Sequence, residues 1–456
     1  MRKVLIANRS EIAVRVIRAC KELGIATVAV YSKADADAMH VHMADEALCI
    51  GAGPSSGSYL KAAAILSAAE ATGADAVHPG YGFLSENARF AQICTDCGIN
   101  FIGPSSESIA LLGHKAKAKQ IAIEAGVPTV PGSEGELKGI ADAKDQAERV
   151  GYPVLLKASN GGGGKGIRVV HSPIEIEPAY MQASLEAKEA FGHSGLYLEK
   201  MVMEPRHVEV QVAADQHGHV IHLYERDCSI QRRRQKLVEE ALCPVLSFEQ
   251  REKLCRAAVD LIRYSKYYSL ATVEFLLDSE GNFYFMEVNT RVQVEHTVTE
   301  ELTGIDLIKM QIEIAKGESI GLEQAEIEPR GHVIQMRINA ENIETGFSPC
   351  PGKIEHFVPP GGPHVRLDSA LYPGYSIPPY YDSMLAKLIV RGTDRNDAIR
   401  VAKRALSEFY LTGVHTTVDF HRFLMQDPAF IANHYNLNYI DTLIAEGASF
   451  RPGSYH

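Results

Sequence analysis

Apolar residues near the start of the chain come in short runs, KVLIA and TVAVYS, with EIAVRVIRACKELG between them. In that segment Ile12, Val14, Val16, Ile17 and Leu23 fall largely on one side of a helix, and Gly24 supplies its stop. A further helix over YLKAAAILSAAEATG leads to the strand-like DAVHPG, and NFIGP reads as a last strand before a new helix. Short strands alternating with amphipathic helices predict an open parallel sheet with helical crossovers.

The texture changes near Pro128. Short strands there flank a glycine run, and the helix-like EIEPAYMQASLEAKEAFG follows, which predicts a small inserted lid over about 128–202. Beyond it HVEVQVAAD, HVIHLYERD, ATVEFLL and NFYFMEVN suit an antiparallel sheet with one face over a large core. DQHGH and DSEGN supply the hairpin turns. Polar residues then recur at every second position, Glu287, Asn289, Arg291, Gln293 and Glu295, so an extended strand would aim all five at one face.

Composition narrows the functional classes. A chain of 456 residues with 46% hydrophobic content is long enough for several packed units. The net charge of −11 offers no overall attraction to nucleic acid or anionic lipid. No apolar run approaches the roughly 18–20 residues that span a bilayer, and MRKVLIANRS reads as a first strand, not a leader, so a cytoplasmic protein with no membrane partner is expected. The eight cysteines include one close pair, Cys94 and Cys97, with no second pair or histidine set beside it; reduced, mostly buried thiols are expected.

Candidate chemistry begins at VLLKASNGGGGKGIRVV. Consecutive glycines let backbone N–H groups approach phosphate oxygens, and strands on both sides fit a hairpin closing over ATP better than a helix-capping phosphate loop. By itself the run is weak evidence and a flexible turn is the lesser alternative. Lys157 on the entering strand and Lys115 in GHKAKAK could reach phosphates, though each lysine taken singly reads as a solvated charge. Glu274 in TVEFLL, with Glu287 and Asn289, offers hard oxygen ligands from separate strands, which suit Mg²⁺ bridging ATP phosphates. In the basic run of ERDCSIQRRRQK, Lys236 is the cation expected to carry chemistry.

KASNGGGGKG, EPRHVEVQV, ERDCSIQRRRQK, EVNTRVQVEH, RGHVIQMRINAE and PPYYDSM, in this order and joined by HPGYGFLSEN and ANRSEIA, resemble the signature set of the biotin carboxylases over essentially the whole chain. The resemblance implies an ATP-grasp enzyme with a Rossmann-like N-terminal domain (1–114), an ATP-grasp domain with its mobile lid (115–330) and a C-terminal domain (331–446). It implies carboxylation of biotin from ATP and bicarbonate through carboxyphosphate, with Mg²⁺ or Mn²⁺, two ions being expected. Lys115, Lys157, His207 and lid glycines Gly162, Gly163 and Gly164 would contact ATP, with Glu199, Lys200, Val202, Glu209, Gln231 and Leu276 around adenine and ribose. Glu274, Glu287 and Asn289 would hold the metal. Glu295 matches the general base, while Lys236, Arg291, Gln293 and the backbone of Val294 would hold bicarbonate. Arg337 matches the residue that stabilises deprotonated biotin, with Tyr381 and Asp382 as secondary neighbours. Without the resemblance, His207 reads as a structural histidine and Arg337 as half of a core salt bridge.

Some positions depart from the family pattern. Ser10 and Ala271 stand where Gly is usual, His114 where Asp is, Asn160 at the first lid glycine, Thr297 in place of Pro, and Gln335–Met336 in place of Glu–Cys. No residue expected to carry chemistry is lost. The sequence holds no Met-Lys-Met biotin-acceptor motif and ends soon after the C-terminal domain, so biotin is expected on a separate carrier protein. A carboxyltransferase subunit and a homodimer are the other partners the resemblance implies. Another ATP-grasp carboxylate–amine ligase is the competing reading, since it uses the same lysines and metal ligands.

Overall fold

The computed structural model describes residues 1–159, 167–191 and 193–450. The expected lid glycines Gly162, Gly163 and Gly164, with Asn160, lie outside the described residues.

Strands β1 (Lys3–Ile6), β2 (Ala26–Ser32), β3 (Glu46–Gly51), β4 (Ala76–His78) and β5 (Asn100–Phe101) form a parallel sheet in the order β3-β2-β1-β4-β5. Val4, Leu5 and Ile6 are fully buried because crossover segments cover both faces. Helix α1 (Ser10–Glu22) closes on Gly24 at φ +69°, where the N–H groups of Gly24 and Ile25 return to the last-turn carbonyls. The expectation of a one-sided helix is corrected: Glu11, Ala13, Arg15 and Ala19 are buried as well. The helix Leu307–Ala315 and two C-terminal strands pack on its far side, so α1 is an internal strut between parts of the chain distant in sequence.

The lid region holds β6 (Val154–Ala158), β7 (Ile167–Val170) and β8 (Leu196–Lys200), antiparallel in the order β7-β6-β8. Helices Ile140–Val150 and Ile176–Phe191 cover this sheet around a core of their own that includes Ala143, Leu156, Ala183 and Leu198. The glycine run thus joins two paired strands, as its flanks predicted.

The largest sheet has eight antiparallel strands. Its members are β9 (Arg206–Ala214), β10 (Val220–Arg232), β11 (Gln235–Ala241), β12 (Ser269–Leu277), β13 (Phe283–Asn289), β14 (His332–Asn339), β15 (Val365–Ser369) and β16 (Met384–Gly392). They run β13-β12-β9-β10-β11-β14-β16-β15, so the pairing of β11 with β14 carries one sheet through the middle and C-terminal parts of the chain. The turns at 215–219 and 278–282 close hairpins where the sequence placed them. The strand expected to continue to Glu295 stops at Asn289. Beyond it the chain must turn into helix α2 (His296–Thr303), so Arg291, Gln293 and Glu295 reach the site from a turn, not from one strand face.

Candidate active site

Alternation along β9, β12 and β13 sets polar side chains on one face of the large sheet. Glu209 stands opposite Glu274, and Glu274 opposite Glu287, in register. Packing carboxylates this closely needs cations among them. Lys236 on β11 supplies one, its Nζ 2.6 Å from Glu209 Oε2, 3.3 Å from Glu274 Oε1 and 2.6 Å from Glu295 Oε1. Arg226 on β10 supplies a second from below: fully buried, it donates to Glu209 at 2.6 Å and to Gln211, Thr299 and Thr272. Arg337 on β14 is the third, with Nε 2.6 Å from Glu239 Oε1 and a terminal nitrogen 3.0 Å from Glu295 Oε2.

Glu295 therefore lies between Lys236 and Arg337 with one oxygen on each. Burial alone would raise its pKa, but Lys236, Arg337 and Arg226 outweigh burial and hold it well below the ordinary carboxylate range. Glu274 is held down in the same way, burial being overcome by Lys236 and by His207, whose Nε2 is 3.0 Å from Glu274 Oε2. Gln231 donates to His207 Nδ1 at 2.9 Å, which leaves the imidazole proton on the side of Glu274. Burial opposes the charge on Lys236 and Arg337 too, and the carboxylates around them still raise both above their usual values. Cys228, wedged among these groups, is pushed up by burial and stays a thiol.

The turn from Thr290 to Glu295 is clamped through its backbone. His296 Nδ1 lies 2.7 Å from the Gln293 carbonyl. Lys387 Nζ, fully buried on β16, lies 3.1 Å from the Val294 carbonyl and 3.1 Å from Glu11 of α1. Gln293 donates to Glu274 Oε1 at 2.9 Å. Arg291 is aimed by Glu86, at 3.0 Å from its Nε, and donates to Asn289 Oδ1 at 3.1 Å.

The rim is more open. Lys157 Nζ is 2.5 Å from Glu199 Oε2, with Lys119 2.8 Å from the other oxygen. Lys115, 65% exposed, meets Glu287 at 3.0 Å. Lys200 spends its amine on the carbonyls of Gly151 and Tyr152, each at 2.8 Å, and its backbone N–H on the Pro131 carbonyl at 2.8 Å. Val202 follows β8, and Leu276 stands beside His207. Glu209, expected near the ribose, has both oxygens engaged, one by Lys236 and the other by Arg226. Tyr381 is held on the N-terminal domain: its hydroxyl is 2.6 Å from Ser32 Oγ, and the Arg9 guanidinium lies 4.0 Å above its ring. Asp382 accepts from the Met384 N–H at 2.9 Å.

The metal trio fits a hard divalent ion. Glu274 and Glu287 are cross-strand neighbours, and Asn289 is bonded to Glu274 at 2.9 Å. The floor also sets three cations, Arg226, Lys236 and Arg337, against four carboxylates, Glu209, Glu239, Glu274 and Glu295, which leaves a negative charge for such an ion to offset. His207, Glu209 and Glu274 likewise converge within 4.8 Å of one another.

Sequence reading missed Arg226, Glu239, Lys387, Glu86 and Lys119. Arg226, Glu86, Lys119 and Lys387 lie within or just beyond segments already singled out, but only tertiary structure reveals what they touch.

Comparison with known proteins agrees with this geometry. Residues 1–109 match the family described as biotin carboxylase, N-terminal domain; 114–323 match carbamoyl-phosphate synthase L chain, ATP binding domain; and 335–442 match biotin carboxylase C-terminal domain. The biotin carboxylase of Nostoc sp. is 53% identical over 441 residues, covering 97% of this chain and 99% of that protein. Biotin carboxylase 1 of Bacillus subtilis is 52% identical over 449 residues, 98% and 100% of the two chains. Among solved structures, the Campylobacter jejuni biotin carboxylase–βγ-ATP complex superposes with TM-score 0.91 at 49% identity, over 97% of this chain and 98% of that one. The biotin carboxylase domain dimer of Hydrogenobacter thermophilus 2-oxoglutarate carboxylase, with MgADP, ADP and bicarbonate, superposes with TM-score 0.91 at 48% identity, over 99% of each chain. With three family models matched along the chain and relatives about half identical over nearly its full length, the chain belongs to the biotin carboxylases, ATP-grasp ligases built from N-terminal, ATP-grasp and C-terminal biotin carboxylase domains.

Proposed function

We propose that the protein carries out the first half-reaction of acetyl-CoA carboxylase or a related carboxylase, using ATP and bicarbonate to carboxylate biotin on a separate carrier protein. Its units are 1–114, 115–330 and 331–446. Bicarbonate binds over the clamped turn, between Lys236, Arg291, Gln293 and the backbone of Val294. Glu295, held ionised, takes the bicarbonate proton once Lys236 turns toward the substrate anion and restores the carboxylate's basicity. The bicarbonate oxygen then attacks the γ-phosphorus and ADP leaves. Mg²⁺ or Mn²⁺ on Glu274, Glu287 and Asn289 would neutralise phosphate charge. Lys115, Lys157, His207 and the lid glycines hold ATP, with the segment Glu199 to Val202, Gln231 and Leu276 bordering the base. Carboxyphosphate breaks down to carbon dioxide and phosphate, and phosphate removes the ureido proton of biotin. Arg337 stabilises the developing oxyanion while the nitrogen attacks carbon dioxide. Tyr381 and Asp382 border the biotin end.

The observation that supports this reading is Glu295 with one oxygen on Lys236 and the other on Arg337, the two cations this reading assigns to bicarbonate and to biotin. A homodimer working with a carrier protein and a carboxyltransferase subunit accords with relatives of the same length named as biotin carboxylases and with the dimeric neighbour. Among the described residues no helix is long and apolar enough to cross a membrane. The test is bicarbonate-dependent ADP release with and without free biotin. Biotin stimulation that falls by about 10²- to 10⁴-fold in Glu295→Gln supports the function and the base. Turnover indifferent to both substrates overturns it in favour of an amine ligase.

A further inference from the structure

Thr297 and Gln335, two departures from the family pattern 38 residues apart, meet in the fold. Thr297 Oγ1 hydrogen-bonds Gln335 Oε1, Gln335 Nε2 donates to Glu239 Oε2 at 2.9 Å, and Glu239 Oε1 accepts from Arg337 Nε at 2.6 Å. Gln335, Thr297 and Glu239 are fully buried. The contacts set the direction of the chain: the Gln335 amide N–H₂ donates to Glu239, whose carboxyl burial pushes up against the pull of Arg337, and the amide oxygen accepts the Thr297 proton. Register supports the same path, with Glu239 opposite Gln335 across β11 and β14, and α2 bringing Thr297 onto that face.

We propose that Thr297 and Gln335 are positioning residues for Arg337: through Glu239 they fix the guanidinium where the oxygen of biotin gains charge. This rests on the role given to Arg337 above. A neutral amide does this without a titrating proton. A carboxyl at 335 would set acceptor against acceptor at the 2.9 Å contact, and the two carboxylates would have to share a proton. While that proton is held, the cluster keeps the charge it has with Gln335. Once it is lost, a second negative charge draws Arg337 away from biotin. The other groups facing this cluster are Arg337 on β14, Lys236 on β11, Glu295 before α2 and the thiol of Cys228 on β10. Lys387 on β16 is turned to Glu11 and Val294, and His296 on α2 is kept neutral by burial and nearby cations.

The test measures kcat/KM for free biotin and KM for ATP, by ADP release across pH 6.5–9.5, in the full chain and in Gln335→Glu, Thr297→Val and Thr297→Ser. Gln335→Glu is expected to lose about fivefold more kcat/KM for biotin than the parent as pH rises, with KM for ATP within about twofold. Thr297→Val is expected to lose about two- to fivefold at every pH and Thr297→Ser to restore it, since only the hydroxyl matters. Thr297→Val and Thr297→Ser behaving alike, or a Gln335→Glu profile parallel to that of the parent, overturns the proposal. If Gln335→Glu does not fold, the Thr297 pair decides. A parent enzyme whose ADP release ignores biotin overturns the functional reading instead, so the two failures are distinguishable.

Discussion

Lys236 and Lys115 are both expected to meet a substrate anion, yet they wait in opposite surroundings. Lys236 has a side chain 13% exposed and is shared by three carboxylates, themselves held by Arg226, Arg337 and His207. Lys115 is 65% exposed and, among the described residues, is paired with Glu287 alone. The floor is a fixed electrostatic frame whose charges could not be buried without one another. At the rim the Lys115–Glu287 pair is open to water, which screens it, and a phosphate can replace such a partner at little cost. On the proposed assignment, chemistry rests on the buried, coupled charges and nucleotide contact on the exposed one.

The sharpest way to break this contrast is Lys236→Met. It strands Glu209, Glu274 and Glu295 around an apolar tip, and a loss of about 3–5 kcal/mol in denaturant unfolding is expected together with loss of turnover. Glu274 and Glu295 have depressed folded pKa values, so the stability they contribute is present above their unfolded value of about 4.3 and disappears as pH falls through the folded values. The penalty of Lys236→Met should therefore shrink in acid. A penalty below about 1 kcal/mol at pH 7 would mean that the floor is no more coupled than the rim.

Next in size is Lys387→Met, outside the substrate-facing set but tied to the same turn. It leaves Glu11 buried without its cation and frees the Val294 carbonyl. About 2–4 kcal/mol of stability should be lost, with a KM for bicarbonate raised about tenfold and a KM for ATP little changed. Adding Glu11→Gln should recover part of the stability and none of the bicarbonate affinity. Recovery of both would make Lys387 a neutraliser of Glu11 and nothing more.

The same contrast explains what could be read in advance. Strand alternation and hairpin turns are local, so β9, β10, β12 and β13 emerge from the sequence, and Glu274 and Glu287 come out as neighbours because pairing follows from pattern. The turn at 290–295 was misread as strand because its polar alternation fits both states, and only the need to enter α2 decides between them. Burial of α1 on its second side depends on segments some 300 residues away, to which no window of sequence is sensitive. Ser10 shows the limit from the other direction. Its place in a usual glycine position was legible, and the backbone there is left-handed, at φ +56°, a conformation that favours glycine. The Thr297–Gln335 bond joined two departures noted separately, and distance in sequence hid their contact.

The smallest effect belongs to the rim and sharpens the comparison most. Lys157, 26% exposed, shares Glu199 with Lys119. Lys119 stays beside Glu199 when Lys157 is removed, so no carboxylate is stranded. Burial acts to raise Glu199, and Lys157 and Lys119 together more than offset it, so Lys157→Met weakens that stabilisation without abolishing it. Less than about 1 kcal/mol of unfolding free energy should be lost, while KM for ATP rises about tenfold because a phosphate partner is gone. KM for bicarbonate should stay near its original value, since the clamped turn holds no contact with Lys157. If Lys157→Met cost as much stability as Lys236→Met, the rim too would be a preassembled frame, and nucleotide would enter a site as rigid as the floor beneath it.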